Sequence, residues 1–112
     1  MYGILTKDTL TIEEGIPSLE RMQKVVGGYI DTALRVPSKT RKGITIDVYC
    51  NDEGLLIQLP INFARGTDGS FLAGDMILSA SNAQGETVKA TKGELVHAVS
   101  YLIPVEGVEY RT

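Results

Sequence analysis

The sequence predicts an α+β domain in which an antiparallel β-sheet built from hairpins carries two amphipathic helices packed on one face. Three observations lead there. Residues 18–31, SLERMQKVVGGYID, hold a helix start, a helix stop and a strand start in one run. The middle of the chain joins its extended stretches through short turns, at 51–54 and 81–85, whereas a doubly wound parallel sheet needs a helix between most successive strands. Thr91 and Glu94 have the T-x-x-E spacing of a capping box, which opens a second helix.

Each element follows from its residues. Residues 3–6 and 9–13 read as two short extended pieces, with Lys7-Asp8 as the tight hairpin turn between them. Ser18 is placed to N-cap the first helix, and Pro17 discourages an earlier start. Leu19, Met22 and Val26 recur at helical spacing while Glu20, Arg21 and Lys24 fall on the opposite side. Gly27 and Gly28 supply a residue able to take positive φ, so the helix closes and Tyr29-Ile30 leave as extended chain. That strand, 29–36, runs to Pro37, and 37–43 is a polar loop.

Ile44, Ile46 and Val48 then alternate with Thr45, Asp47 and Tyr49, the period of a strand with one buried face. Asn51-Asp52-Glu53-Gly54 followed by the apolar run 55–59 predicts a β-hairpin, with Gly54 returning the chain. Pro60 ends that strand, and 62–70 reads as a connection with a turn at Thr67-Asp68-Gly69. Gly74-Asp75 introduce an apolar strand over 76–80, and 81–85 loops to a mostly polar edge strand over 86–90. In the second helix Leu95, Val96, Val99, Leu102 and Ile103 share one side until Pro104 stops it, and 105–112 forms a short extended tail.

Composition narrows the class. A chain of 112 residues is long enough for one hydrophobic core, so residues 1–112 are read as a single domain. Apolar residues at 43% and charged residues at 22% match an ordinary folded protein and argue against disorder. No apolar run approaches the roughly 20 residues that span a bilayer, and Lys7, Asp8, Glu13 and Glu14 interrupt the stretch a signal peptide would need. The expected location is cytoplasmic, with no membrane contact. Cys50 is the sole cysteine, which excludes an internal disulfide and multi-thiolate metal sites. A net charge of −3 offers no general attraction to nucleic acid.

Four motifs stand in a distinctive order: the SLE-x-MQ-x-VVGGYI run of 18–30, the C-N-D-E-G-L turn of 50–55, Leu59-Pro60 with Asn62, and Gly74-Asp75 leading an apolar strand. In this order they resemble a small uncharacterised domain family of bacteriophages and of actinobacterial and other mobile elements, catalogued as a domain of unknown function. Together they cover residues 18–80, with the capped second helix a weaker match and 39–42 a local extension between motifs. The resemblance implies a phage or mobile-element context and carries no catalytic residue.

The residues themselves supply few chemical candidates. The Gly27-Gly28 pair follows a helix, whereas a phosphate loop precedes one and uses its positive end, so the pair reads as a cap. Cys50 and His97 are the only thiol and imidazole; the helical phase turns His97 to solvent, away from a strand-ending Cys50. Asp52, Glu53, Asp68 and Asp75 occupy separate turns and fit no metal spacing. Arg35, Lys39, Arg41 and Lys42 form the densest positive stretch, a solvated loop with no interleaved aromatic for base stacking.

Tyr29, Asn51 and Asn62 are the polar candidates for ligand or partner contact, because they sit in the motifs of the resemblance. The expected function is a non-enzymatic binding protein of phage, prophage or mobile-element origin acting on a host or element-encoded protein. The alternative is a small-ligand binder, for a nucleotide or another anion, using Arg35, Lys39, Arg41, Lys42, Arg65 and the asparagine loops. No metal and no cofactor is expected, a protein partner is favoured over nucleic acid, and a homo-oligomer through an open strand edge or the 105–110 tail is a further expectation.

Overall fold

Residues 1–106, Val108 and Tyr110 are described by the computed structural model. In chain order the elements are β1 (Tyr2–Leu5), β2 (Leu10–Glu13), α1 (Leu19–Val26), β3 (Ile30–Pro37), β4 (Thr45–Asn51), β5 (Ile61–Arg65), β6 (Phe71–Ala73), β7 (Met76–Ser81), β8 (Thr87–Val88), α2 (Lys92–Val99) and β9 (Leu102–Pro104). The large sheet has the order β2-β1-β7-β4-β3, with β8 also paired to β7, and the small sheet has the order β6-β5-β9. Every strand pair is antiparallel. The chain is an α+β fold, as its turn spacing predicts.

The register of β7 decides where the cores lie. Met76, Leu78 and Ala80 join one buried cluster, with Ile46, Val48 and Cys50 of β4, Leu95 and Ala98 of α2, and Phe63, Leu72 and Leu102 of the small sheet. Ile77 joins the other, with Tyr2 of β1 and Met22 and Val26 of α1. Successive strand residues point to opposite faces. The register therefore refines the placing of the helices: α1 covers one face, and α2 with the small sheet covers the other. Burying both faces explains why β7 reads MILSAS, nearly continuous in small and apolar residues.

Both helix starts are built as the spacing predicts. Ser18 Oγ accepts from Arg21 N at 3.0 Å, and Thr91 and Glu94 form the full reciprocal box. Gly27 takes φ 80° and its N–H donates to Gln23 O at 2.9 Å, closing α1. Within α1, Met22 and Val26 are buried as expected, but Leu19 at its first position is exposed.

Four expectations are corrected. The run 55–59 is no strand: Ile57 N donates to Glu53 O and Leu59 N to Gly54 O, at 2.9 Å each, winding 52–58 into consecutive helical turns that Gln58 ends in the left-handed region. The run pairs with no strand among the described residues, and its N–H groups are taken by local carbonyls. The stretch 62–70 is no mere connection, since β5 occupies its first part and pairs with both β6 and β9; the turn at 67–69 stands as read, closing β5 to β6. The second helix ends at Val99, and Leu102 and Ile103 enter β9 opposite Arg65 and Ala64. Its buried side is Glu94, Leu95 and Ala98, leaving Val96 exposed, because the helix lies against the sheet one position off the purely apolar stripe. The strand over 86–90 shortens to Thr87–Val88. Of the expected tail 105–112, residues 107, 109, 111 and 112 lie outside the described residues.

Candidate functional site

The residues singled out from the sequence divide into those that hold the fold and those that face outward. Asn51 is buried at the end of β4, where its Nδ2 donates to Val26 O at 3.1 Å and its Oδ1 accepts from Glu53 N at 2.8 Å. It ties the end of α1 to the following turn, and a Cβ on Gly28 would come within 2.8 Å of that Nδ2. The glycine pair therefore serves first as cap and then as clearance for Asn51. Asn62 is also buried, with Nδ2 donating to Gly74 O at 3.4 Å while its backbone carbonyl accepts from Val105 N at 3.2 Å. Tyr29 is the outward one of the three, with its ring in solvent.

The basic loop is anchored through one residue. Arg41 Nε and Nη2 donate to Glu94 Oε2 and Oε1 at 3.0 and 2.7 Å, and Nη2 also donates to Lys89 O at 2.8 Å. Ser38 Oγ and Thr91 N donate to the same carboxylate. Burial pushes the Glu94 pKa up, but the hydrogen bonds from Arg41, Ser38 and Thr91 and the Arg41 charge outweigh it and hold the group at about 2. Arg41 is thus spent on fastening the loop to α2, and Arg35 lies on β3 beside Asp47, so the expected cationic patch of Arg35, Lys39, Arg41 and Lys42 is not brought together. Lys39 and Lys42 remain exposed. Arg65 is likewise engaged: Nε and Nη2 donate to the two oxygens of Asp68 at 3.2 and 2.8 Å, and Nη1 to Ala33 O at 2.9 Å.

Cys50 and His97 form no nucleophilic pair. Cys50 is buried on the face it shares with Ile46 and Val48. Burial, then the negative charge of Asp31, pushes its thiol pKa up, away from a reactive thiolate. His97 is half-buried rather than turned to solvent, with its ring edge-on to Tyr101 at 5.4 Å between centroids. Among the described residues no group of three or more His, Cys, Asp or Glu could hold a metal ion.

Of the concave regions among the described residues, two lie towards opposite ends of β4; others are lined by Asn62 and Pro60 and by Lys39, Glu94 and His97, among others. The first is a groove of about 380 Å³ between β3 and β6, lined by Asp31, Thr32 and Ala33 on one side and by Phe71, Leu72 and Ala73 on the other. Both strands are sheet edges. Leu55 and Leu56 stand over the groove on the helical turns, with Leu56 79% exposed, and Phe71 is exposed at its rim.

The second is a cleft of about 400 Å³ lined by Arg35, Thr45, Asp47, Tyr49 and Ser81, among others. Arg35 and Asp47 in its lining are cross-strand neighbours, and Ser79, which does not line the cleft, lies opposite Asp47 on β7. Asp47 is only 2% exposed, yet its contacts are long: Arg35 Nε at 3.5 Å, Thr45 Oγ1 at 3.5 Å and Tyr49 OH at 3.4 Å. Burial, then the Asp47 charge, raises the Tyr49 pKa and keeps that phenol protonated as a donor. Asp47 was legible only as the polar half of an alternating strand. The available signal was the coincidence of T-x-D-x-Y in one strand with S-x-S in another, which marks a polar row on a sheet face that is otherwise covered.

The fold and these two concavities define a small α+β domain with one apolar-rimmed groove between strand edges and one polar cleft. The chain belongs to the family described as Domain of unknown function (DUF3846), whose model matches residues 3–100. Neither a curated protein nor a solved structure matches it. No helix among the described residues is long and apolar enough to cross a membrane.

Proposed function

We propose that the chain is a non-enzymatic binding protein, of phage, prophage or mobile-element origin, that takes an extended segment of a host or element-encoded protein into the groove between β3 and β6. The observation that carries this reading is the fate of Leu55, Leu56 and Ile57. These three consecutive apolar side chains are about half exposed or more on the helical turns instead of packing in a core, and Leu55 and Leu56 line the groove. Exposed apolar groups rimming a groove are characteristic of interaction surfaces. The groove walls are edge strands, whose unpaired backbone groups accept an added strand, so an extended peptide satisfies hydrogen bonds and apolar contacts together. Asp31 and Asp52 also line it, and they favour a peptide carrying a basic residue.

Leu56→Glu tests this reading. Leu56 is so exposed that the substitution leaves the melting temperature unchanged within the equivalent of about 0.5 kcal/mol. Screening a random extended-peptide library against the wild type selects apolar peptides with a basic residue, and these lose binding to Leu56→Glu. A library that yields no binder, or binders indifferent to the substitution, overturns the proposal. The alternative, a binding protein for a nucleotide or another anion, has less support: Arg41 is committed to Glu94, Arg65 to Asp68, and Arg35 faces Asp47.

A further inference from the structure

We propose that the cleft over Asp47 is a binding site for a planar group presenting two adjacent N–H donors, the shared chemistry of a guanidinium and of the guanine base edge. An ionised carboxylate offers about four acceptor positions, and a buried one is costly unless closely hydrogen-bonded. Every polar contact of the Asp47 carboxylate is 3.4 Å or longer, beyond the roughly 2.7–3.2 Å of an ordinary hydrogen bond. Glu94, equally buried, shows what a satisfied carboxylate looks like in this same chain, with Arg41 donors at 2.7 and 3.0 Å and two further donors. Asp47 therefore has acceptor capacity left, and it lines an open cleft.

The neighbours narrow the ligand. Arg35, a cation beside Asp47, comes no closer than 3.5 Å, at its Nε, and its side chain is 67% exposed, so it is held loosely and can swing away from the carboxylate. The Ser79 hydroxyl, next to Asp47 across the β4–β7 pair, is buried with no hydrogen-bond partner among the described residues. Thr45 and Ser81 hydroxyls, 3.0 Å apart, and the half-buried ring of Tyr49 line the remainder. A carboxylate floor repels a free anion. A single carboxylate among hydroxyls is also a poor cage for a cation that demands six or more oxygens. A planar two-donor edge instead makes two parallel bonds to Asp47, and a cleft of about 400 Å³ has the size of a small-molecule site. This site is separate from the β3–β6 groove and does not depend on it.

The test is a titration of the full-length protein with agmatine, guanosine and adenosine, followed by calorimetry and by amide chemical shifts. Agmatine carries the guanidinium, guanosine the base edge, and adenosine lacks two adjacent donors on its pairing edge. Saturable binding of agmatine or guanosine, with adenosine silent and shifts centred on Arg35, Thr45, Asp47 and Ser81, is the expected result; whichever binds identifies the source of the donor pair. Asp47→Asn weakens that binding at least tenfold. Arg35→Ala, which frees the carboxylate without altering it, preserves or tightens agmatine binding, and it decides the matter if Asp47→Asn does not fold. Binding of neither ligand, equal binding of adenosine, or shifts centred elsewhere overturns the proposal.

Discussion

Two buried carboxylates, Asp47 and Glu94, show how differently the same group is treated in one small chain. Glu94 is the hub that joins Ser38 and Arg41 of the basic loop to the start of α2. Its folded pKa of about 2 lies below the ordinary 4.5, so the unfolded chain takes up the proton first. The stabilisation is complete above about pH 4.5 and is lost as pH falls towards 2. Urea midpoints measured from pH 6 to pH 2.5 should fall for the wild type by the equivalent of up to about 3 kcal/mol, and Glu94→Gln should flatten that fall. Arg41→Ala strands the buried charge and should cost about 3 kcal/mol at pH 7, a loss that neutralising the exposed Lys39 or Lys42 does not reproduce. Glu94 was legible in the sequence as a capping-box residue. Its pairing with Arg41, 53 positions away, was not, because the loop's charge looks the same whether solvated or docked.

At the scale of elements, helix ends were legible where their chemistry is local. Gly27 closes α1 at φ 80°. Gly27→Ala should lower stability by about 1 kcal/mol, read as a lower urea midpoint with unchanged slope. Asn51→Ala removes the link to Val26 O and the cap on Glu53 N, and should cost about 1–3 kcal/mol. An undiminished midpoint in either variant contradicts the role given to that residue. The elements misread from sequence were those whose identity depends on a distant partner. Residues 55–59 have the composition of a strand but pair with no strand among the described residues, whereas Ile61–Arg65 becomes a strand because Phe71–Ala73 and Leu102–Pro104 flank it. The same pairing draws Leu102 and Ile103 out of a helical pattern that suits them equally well.

Across the whole molecule, β7 is the common wall of two cores, with Met76 and Leu78 facing α2 and the small sheet and Ile77 facing α1. It pairs with β1, β4 and β8. Its central amides should therefore exchange only through global unfolding, at a free energy equal to that from urea denaturation; faster exchange there than in β2 or β3 would contradict this arrangement. Leu78→Ala should cost about 2–5 kcal/mol, since the side chain is fully buried among neighbours from three directions. The sequence by itself determined the α+β class, both helix starts, the closure of α1 and the turns at 67–69 and 81–85, because caps and turns are made by residues within a few positions of one another. Only the tertiary structure decided which face each helix covers, which apolar run becomes a strand and which stays exposed, and where Asp47 and Arg41 find their surroundings. Those outcomes rest on strand pairing and burial between residues tens of positions apart, and no local pattern encodes them.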